Sequence, residues 1–428
     1  MEKIIITKID AKEIIDNKGT PTVRVYVWVN NTLSGVADVP CGSSTGTYEA
    51  KKIRDGENRY RGKGVKKAIQ NIRKIIFPQL HGKEVTRQRE IDQIMIELDG
   101  TPDKGKLGAN AILGVSLAVV RAAARMCNLP LYHYINANAH ILPVPQCEMI
   151  NGGLHAGNGL SFQEFSVMPV GAKSFSEAVE MLSNINQSLK RCLTNQYGKS
   201  SLSIGDDGAL APPIQKTEEA FEFLYRAVEK AGYQGLIYYA IDVAANYFYV
   251  KEEQKYFFEE KLISRKKLID FYKDLTNHFP EIYSIEDPLF EEDFEGTALL
   301  SKELKKTKII GDDLFVTNLG RLKKGIELNA AKGLIWKPDQ IGTLSEALDV
   351  AYHAFFHKYE IIVSNRSSNT GDDILTDLCV ALNAKVMKTG GISRNRNYNR
   401  LLEIEEELGE AASYAGGSLL DLPQEKLI

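Results

Sequence analysis

The sequence predicts an α/β protein in which an N-terminal α+β domain, residues 1–135, precedes a closed α/β barrel, residues 144–428. In the first part, strand patterns come before helix patterns, which is typical of an α+β domain. In the second part, a short apolar run, a polar residue at its end and an amphipathic helix follow one another repeatedly. A chain of 428 residues is also long enough for two hydrophobic cores.

The N-terminal part begins with strands. The stretch "TPTVRVYVWVN" alternates apolar and polar residues and predicts a strand with one buried face, with "NTLSGVADVP" as its antiparallel neighbour. Helical spacing then follows in "GVKKAIQNIRKII" and "GANAILGVSLAVVRAAARM". Between them lies the polar loop "GSSTG", Gly42 to Gly46, which lacks the lysine and the spacing of a phosphate-binding loop and taken alone predicts a plain turn.

The barrel is predicted from six apolar runs that each end in a polar residue. Continuously apolar strands that alternate with helices are typical of a parallel sheet covered on both faces, and this length favours a closed barrel. Barrel strands present their C-terminal ends at one mouth, where active sites are built. The residues expected to converge there are Asp242, Glu286, Asp312, Lys337, Asn365 with Arg366, and Lys388.

The composition favours small-molecule chemistry. The chain is 43% hydrophobic and 25% charged with a net charge of −3, so no basic face predicts a nucleic-acid or membrane partner. The N-terminus lacks the apolar core of a signal peptide, and no apolar run is expected to approach the roughly 18 residues of a membrane span. Five cysteines without CxxC spacing indicate reduced, structural residues. A cytoplasmic protein is expected.

Three carboxylates end three successive strands: Asp242, Glu286 and Asp312. Crowded carboxylates raise one another's pKa unless a cation lies among them, and hard oxygen ligands favour Mg²⁺. Each acid alone could instead cap a helix or form a salt bridge. Their positions in consecutive units favour a metal site.

Lys337 and Lys388 end two further strands. A lysine near a metal and another ammonium has a lowered pKa, so it can act as a base or hold an anionic carboxylate. A metal-held carboxylate beside a lysine base predicts removal of a proton next to that carboxylate, where the resulting enolate needs a divalent cation. Two solvated lysines are the alternative.

The stretch "NGGLHAGNGLSFQEF" carries His155, Gln163 and Glu164 between paired glycines and an apolar run. Its glycines predict a mobile loop that leads into a strand. A structural and a catalytic role for the histidine both stay open.

These motifs resemble those of the enolase family. "NGGLHAGNG" followed by "QEF", "GDD" before "APP", "SIEDP", "KPDQIGTLSE", "KTGG" and "LLEIEEELG" occur in the family's order and approximate spacing over essentially the whole chain. The resemblance implies a TIM-like barrel of the enolase type behind an α+β cap domain. It also implies a glycolytic, Mg²⁺-dependent lyase that removes the C2 proton of 2-phosphoglycerate and eliminates water to give phosphoenolpyruvate.

The resemblance further implies roles for individual residues. It assigns the first Mg²⁺ to Asp242, Glu286 and Asp312, and gives a second Mg²⁺ to Ser44 when the cap loop closes over the substrate. Lys337 corresponds to the base at C2. The substrate-side residues by resemblance are Lys388 for the carboxylate, Arg366 and Ser367 for the phosphate, and His155, Gln163 and Glu164 on the mobile loop.

Four positions depart from the family pattern. Asp207 stands where enolases have the glutamate that protonates the departing C3 hydroxyl, and Asn365 stands at a histidine. Ser368 replaces a glycine and Asn369 an acidic residue. Aspartate is shorter than glutamate by one C–C bond, about 1.5 Å, and misplacement of the order of 1 Å costs about 100-fold in rate. Asp207 is therefore predicted to be the acid that protonates the C3 hydroxyl, at a reduced rate. Asn365 is predicted to lie beside the substrate.

Two alternatives follow from these departures. The chain could be an enolase paralogue with different chemistry at C3, similar to carboxyphosphonoenolpyruvate synthase, or a non-catalytic binding protein on the same scaffold. Either way the resemblance implies a homodimer or a higher homo-oligomer. Enolases pair an acidic residue on an early strand with an arginine before "IEEELG" across the dimer interface. Here the matching positions are Arg24 and Glu403, so the two charges are interchanged.

Overall fold

The computed structural model describes residues 3–40, 42, 46–56, 58–368 and 370–419. Its N-terminal part contains an antiparallel sheet of β1 (Ile6–Ile15), β2 (Pro21–Val29) and β3 (Thr32–Asp38), in that order. A turn at Arg59–Gly62 and a π-helical segment at Ile72–Ile76 accompany five helices. The helices are α1 (Lys66–Asn71), α2 (Phe77–Leu80), α3 (Gln88–Asp99), α4 (Ala109–Met126) and α5 (Leu131–Ile135).

Helix α4 is the core helix of this domain and packs across β2 and β3. It approaches β3 so closely that a Cβ on Gly35 would lie 2.0 Å from the carbonyl oxygen of Ala118. By length and composition, with a mean hydropathy of 1.3, α4 could cross a membrane, but 83% of it is buried inside the protein. The expectation that no apolar run approaches the length of a membrane span is therefore wrong. A helix buried in the core of a protein needs the same apolar composition as a helix that crosses a membrane.

Eight strands of the second part close into a barrel, and the remaining strands form two small sheets. The barrel order is β5-β6-β7-β11-β12-β13-β14-β15, with β15 paired back to β5. The strands are β4 (Ile141–Leu142), β5 (Val144–Asn151), β6 (Glu164–Met168), β7 (Tyr238–Asp242), β8 (Tyr249–Val250), β9 (Lys255–Phe258), β10 (Lys261–Ile263), β11 (Ile282–Glu286), β12 (Lys308–Gly311), β13 (Gly333–Trp336), β14 (Glu360–Ser364), β15 (Val386–Lys388) and β16 (Ser413–Tyr414).

Nine helices accompany these strands in the described residues, most of them between consecutive barrel strands. They are α6 (Phe175–Tyr197), α7 (Thr217–Ala231), α8 (Arg265–His278), α9 (Phe294–Glu303), α10 (Leu319–Leu328), α11 (Leu344–Phe356), α12 (Ile374–Ala381), α13 (Asn395–Leu408) and α14 (Gly416–Leu419). The strand and helix alternation that predicted a closed barrel is confirmed.

One barrel strand runs against the others. β6 is antiparallel to both β5 and β7, whereas the other six neighbouring pairs are parallel. The prediction of a wholly parallel sheet is therefore wrong at β6. The connection over residues 152–163 contains only a short 3₁₀ turn, and without a crossover helix the chain returns as a hairpin. Glu164, the first residue of β6, consequently pairs with Asp242, the last residue of β7, at the mouth.

The predicted polar strand ends lie at the mouth of the barrel. Asp242, Glu286 and Lys388 are the last residues of β7, β11 and β15. The remaining four follow their strands directly and are Asp312, Lys337, Asn365 and Arg366.

Candidate active site

A narrow cavity of about 30 Å³ lies at the mouth of the barrel. Charged side chains line most of it, among them Lys337 and Lys388 from the strand ends and His155, Asp207 and Arg394 from the connecting segments. Most of these side chains are buried, so their charges interact with one another under weak solvent screening.

Lys388 lies among three buried carboxylates. Its Nζ is 2.8 Å from Glu164 Oε2, 2.8 Å from Glu286 Oε2 and 3.4 Å from Asp242 Oδ2. Burial by itself would lower the pKa of Lys388, but the carboxylates of Glu164 and Glu286 raise it well above the ordinary lysine value. Gln163 Nε2 donates a hydrogen bond of 3.3 Å to Asp242 Oδ2. The ammonium thus balances much of the negative charge of this side of the mouth.

Lys337 pairs with Asp312, the third predicted metal ligand. Its Nζ is 2.5 Å from Asp312 Oδ2, and Gln340 Nε2 donates to Asp312 Oδ1 at 2.8 Å. Burial by itself would lower the pKa of Lys337, but the Asp312 carboxylate raises it above the ordinary value. A lowered lysine pKa, expected from the sequence, is therefore not found in this arrangement. The reason is that Asp312 pairs directly with the ammonium.

The predicted metal ligands have the right donor atoms for a hard divalent cation. Glu286 Oε1 is buried and accepts no hydrogen bond in the part of the chain that the structure describes, so this oxygen can still bind a cation. The nearest oxygens of Asp242, Glu286 and Asp312 do not form one of the tight groups of ligand atoms in the described residues. Instead Lys388 lies between Asp242 and Glu286, and Lys337 is paired with Asp312.

Two other sets of three side chains do bring ligand atoms within 4.8 Å of one another: His155, Glu164 and Asp207, and Asp287, Asp312 and Asp313. The second set has a structural explanation. The Asp287 carboxylate accepts the backbone N–H groups of Asp312 and Asp313 at 2.9 and 2.6 Å. It thereby fixes the segment that carries Asp312.

The acid side of the cavity is built around Asp207. Its Oδ2 pairs with His155 Nδ1, and Arg394 Nη2 is 3.4 Å from its Oδ1. Burial by itself would raise the pKa of Asp207, but the hydrogen bond and charge of His155, with Arg394, lower it to about 2. The pKa of His155 is raised, since the carboxylate outweighs the effect of burial. Asp207 is therefore an ionised carboxylate at neutral pH, and its charge favours the protonated form of the His155 imidazole.

Carboxylates hold Arg366, the residue predicted to bind the substrate phosphate. Arg366 Nη1 is 3.0 Å from Glu49 and 3.2 Å from Asp339, and Lys52 Nζ is 2.8 Å from Asp339. Ser367 is buried beside Arg366 and lines the cavity. These contacts hold the guanidinium in one place, as a site for a doubly charged anion requires.

The cap loop reaches this guanidinium from the N-terminal domain. A Cβ on Gly42 would lie 2.3 Å from Arg366 Nη2, so a larger residue there would displace the guanidinium. Ser44, predicted to bind the second metal, and Asn369 lie outside the described residues. Asn365 Nδ2 is buried and has no hydrogen-bond partner among the described residues.

Comparisons with known proteins identify the family of this chain. Residues 6–135 match the family "Enolase, N-terminal domain", and residues 139–422 match "Enolase, C-terminal TIM barrel domain". The chain belongs to the enolase family. Together the two matches cover nearly the whole described chain, and their domain descriptions agree with the predicted N-terminal domain and TIM-like barrel.

Three relatives, each named enolase, show the extent of the similarity. The enolase of Methanocaldococcus jannaschii is 50% identical over 419 residues, which are 97% of this chain and 98% of the relative. The enolases of Thermococcus gammatolerans and Pyrococcus furiosus are 50% and 51% identical over 418 residues, 96% of this chain and 97% of each relative.

This enolase-family site contains charged residues that sequence reasoning missed. Glu49, Asp339 and Arg394 hold other site residues, and their pairing depends on contacts between distant segments. Glu148 had a local signal. It is a charged residue within β5, a strand in which all eight residues are buried. A charged side chain in such a strand indicates a polar partner or a function.

Proposed function

We propose that this chain is a Mg²⁺-dependent enolase that removes the C2 proton of 2-phosphoglycerate and eliminates water to give phosphoenolpyruvate. Such an activity makes it a carbon–oxygen lyase of glycolysis. The observation that carries the proposal is the convergence of two buried lysines and three strand-end carboxylates at one barrel mouth, in a chain about 50% identical to enolases over nearly its whole length.

Lys337 is the base and Lys388 the cation that holds the substrate carboxylate. Lys337 enters the cavity from β13, and Lys388 enters from β15, which follows β14 in the barrel order. The phosphate binds Arg366 and Ser367, the charged and polar groups that follow β14. A lysine acts as a base only in its neutral form, so the proton that Lys337 shares with Asp312 must leave before catalysis.

Asp242, Glu286 and Asp312 hold the first Mg²⁺, and Ser44 joins a second Mg²⁺ that arrives with the substrate. Mg²⁺ bound there supplies the positive charge that stabilises the enolate next to the substrate carboxylate. The oxygen donor set and the unpartnered Glu286 Oε1 support a hard cation. Gln163, donating to Asp242, orients one of the ligands.

The opposite side of the cavity handles C3. His155 and Gln163, from the loop before β6, and Glu164, the first residue of β6, contact the substrate. Asp207 and Asn365 line the same cavity. The relatives are named enolase, which supports loss of water at C3 over the chemistry of a carboxyphosphonoenolpyruvate synthase. Retention of both lysines and all three carboxylates supports catalysis over a binding role.

An assay of phosphoenolpyruvate formation tests the function. Purified protein with 2-phosphoglycerate and Mg²⁺ should produce the absorbance of the enol product, and a chelator should remove the activity until Mg²⁺ is restored. C2-deuterated substrate should lose its label to solvent under the same conditions. Protein that forms no product and exchanges no label, while correctly folded by circular dichroism, would contradict the proposal.

The chain is a cytoplasmic homodimer or a higher homo-oligomer, in which Arg24 of one copy faces Glu403 of another. Within one chain, Arg24 Nε and Nη2 donate to Asp38 at 2.5 and 2.8 Å, and Glu403 accepts from Arg400 at 3.2 Å. Arg24 remains 39% exposed, which leaves part of the guanidinium for a partner.

Charge reversal tests this pairing. Arg24→Glu and Glu403→Arg should each weaken the dimer about tenfold or more, because each places like charges together. The double variant should restore the wild-type dissociation constant measured by sedimentation. If the double variant is weaker than both single variants, the two residues do not face each other.

A further inference from the structure

We propose that Glu148 is the proton donor to the departing C3 hydroxyl, a task that the family resemblance gives to Asp207. This inference rests on the proposed function and names a further catalytic residue for it. Glu148 belongs to β5 and lines the same cavity as Lys337, Lys388 and Asp207.

The surroundings of Glu148 differ from those of every other carboxylate in the cavity. Its only side-chain hydrogen bond among the described residues is a weak one, from Asn151 Nδ2 to Oε2 at 3.5 Å. It forms no ion pair in the described part of the chain, although the residue is only 4% exposed. A buried carboxyl group without a cationic partner is stable only in its neutral form.

The neighbouring acids are already paired. Asp207 is held ionised by His155 and Arg394, so it has no proton to give. Glu164 Oε2 is 2.8 Å from Lys388 Nζ, and its Oε1 is 3.5 Å from His155 Nδ1. Both of these carboxylates face cations.

The charges around Glu148 favour its protonated form. Burial raises its pKa well above the ordinary value, and the carboxylates of Asp207 and Glu164 raise it further. Lys388 and Arg394 act in the opposite direction without reversing the shift. A neutral carboxylic acid in the cavity is the state that a general acid needs.

The proposed step is an acid-assisted elimination of water. Glu148 transfers its carboxyl proton to the C3 hydroxyl oxygen while the C3–O bond breaks and water leaves with the bonding electrons. The electron pair of the enolate forms the C2–C3 double bond of phosphoenolpyruvate. Glu148 is left as a carboxylate and takes a new proton from solvent.

Glu148→Gln tests the inference because glutamine keeps the size and hydrogen bonding of the side chain but cannot deliver a proton. We expect dehydration of 2-phosphoglycerate to fall about 100-fold or more, whereas exchange of the C2 proton stays within about threefold of wild type. Glu148→Asp should recover part of the loss. Glu360→Gln makes the same chemical change at the start of β14, at the far end of the barrel, and should alter neither reaction.

A substrate with chloride in place of the C3 hydroxyl separates acid catalysis from structural damage. Chloride leaves without a proton, so Glu148→Gln should eliminate it at nearly the wild-type rate. Equal losses with both substrates would overturn the inference. So would a hydroxyl-specific loss in His155→Gln or Asp207→Asn with none in Glu148→Gln. Wild-type protein that neither exchanges the C2 proton nor dehydrates 2-phosphoglycerate would overturn the proposed function itself, and this inference with it.

Discussion

Replacing Lys337 with alanine is expected to reduce exchange of the C2 proton by roughly 10³- to 10⁴-fold, the upper part of the range for loss of a general base. Lys337 reaches the cavity from the end of β13 and is paired there with Asp312. The variant removes the amine that accepts the proton and leaves the acid side untouched. Nuclear magnetic resonance of the C2 signal in deuterated water measures the exchange directly, whether or not elimination follows.

Lys308→Ala provides a matched control for this change. Lys308 begins β12 at the opposite end of the barrel, where it pairs with Glu360. Its replacement should leave exchange unchanged and should report any general cost of removing a lysine from a barrel strand. If exchange survives in Lys337→Ala, another group is the base.

Replacing Lys388 with methionine is expected to destabilise the Mg²⁺-free protein by about 3–5 kcal/mol, the usual effect of breaking a buried ion pair on one side. The ammonium contacts Glu164, Asp242 and Glu286, and without it these three buried carboxylates face one another. Methionine occupies a similar volume, so the loss would come from charge more than from packing. Urea unfolding measured without Mg²⁺ gives the free energy.

The same variant should respond more strongly to Mg²⁺ than wild type. A cation that binds only the folded protein stabilises it, and it would occupy the region between carboxylates that Lys388 no longer balances. Lys273→Met breaks an exposed pair with Glu303 and should cost no more than about 1 kcal/mol. A free energy of unfolding within about 1 kcal/mol of wild type for Lys388→Met would contradict this account.

The sequence predicted the mouth of the barrel well because its signals are local. An apolar run and the polar residue that ends it are adjacent in the chain, so the amino-acid order alone was enough to assign Asp242, Glu286 and Lys388 to strand ends. The pairing of these residues could not be predicted. Which carboxylate each lysine contacts depends on strand order and side-chain direction, and these follow from closure of the whole barrel.

Local sequence patterns also could not predict the direction of β6 or the side-chain contacts of Asp207. A buried strand of five residues has the same composition in either direction, so only the absence of a helix in residues 152–163 could have indicated a hairpin. The sequence did single out the shorter side chain of Asp207. Its pairing with His155 and Arg394, which fixes its protonation state, joins three distant segments.

Barrel closure also determines where this chain could join other β-sheets. Each of the eight barrel strands has two neighbours, so the barrel presents no row of free backbone N–H and C=O groups to another molecule. The N-terminal sheet has β1 and β3 as outer strands, and β1 carries the charged side chains of Lys8, Asp10 and Lys12 on one face. Charges on an outer strand oppose the addition of another strand. Protection against strand-to-strand aggregation therefore comes from closure in the barrel and from edge charges on β1.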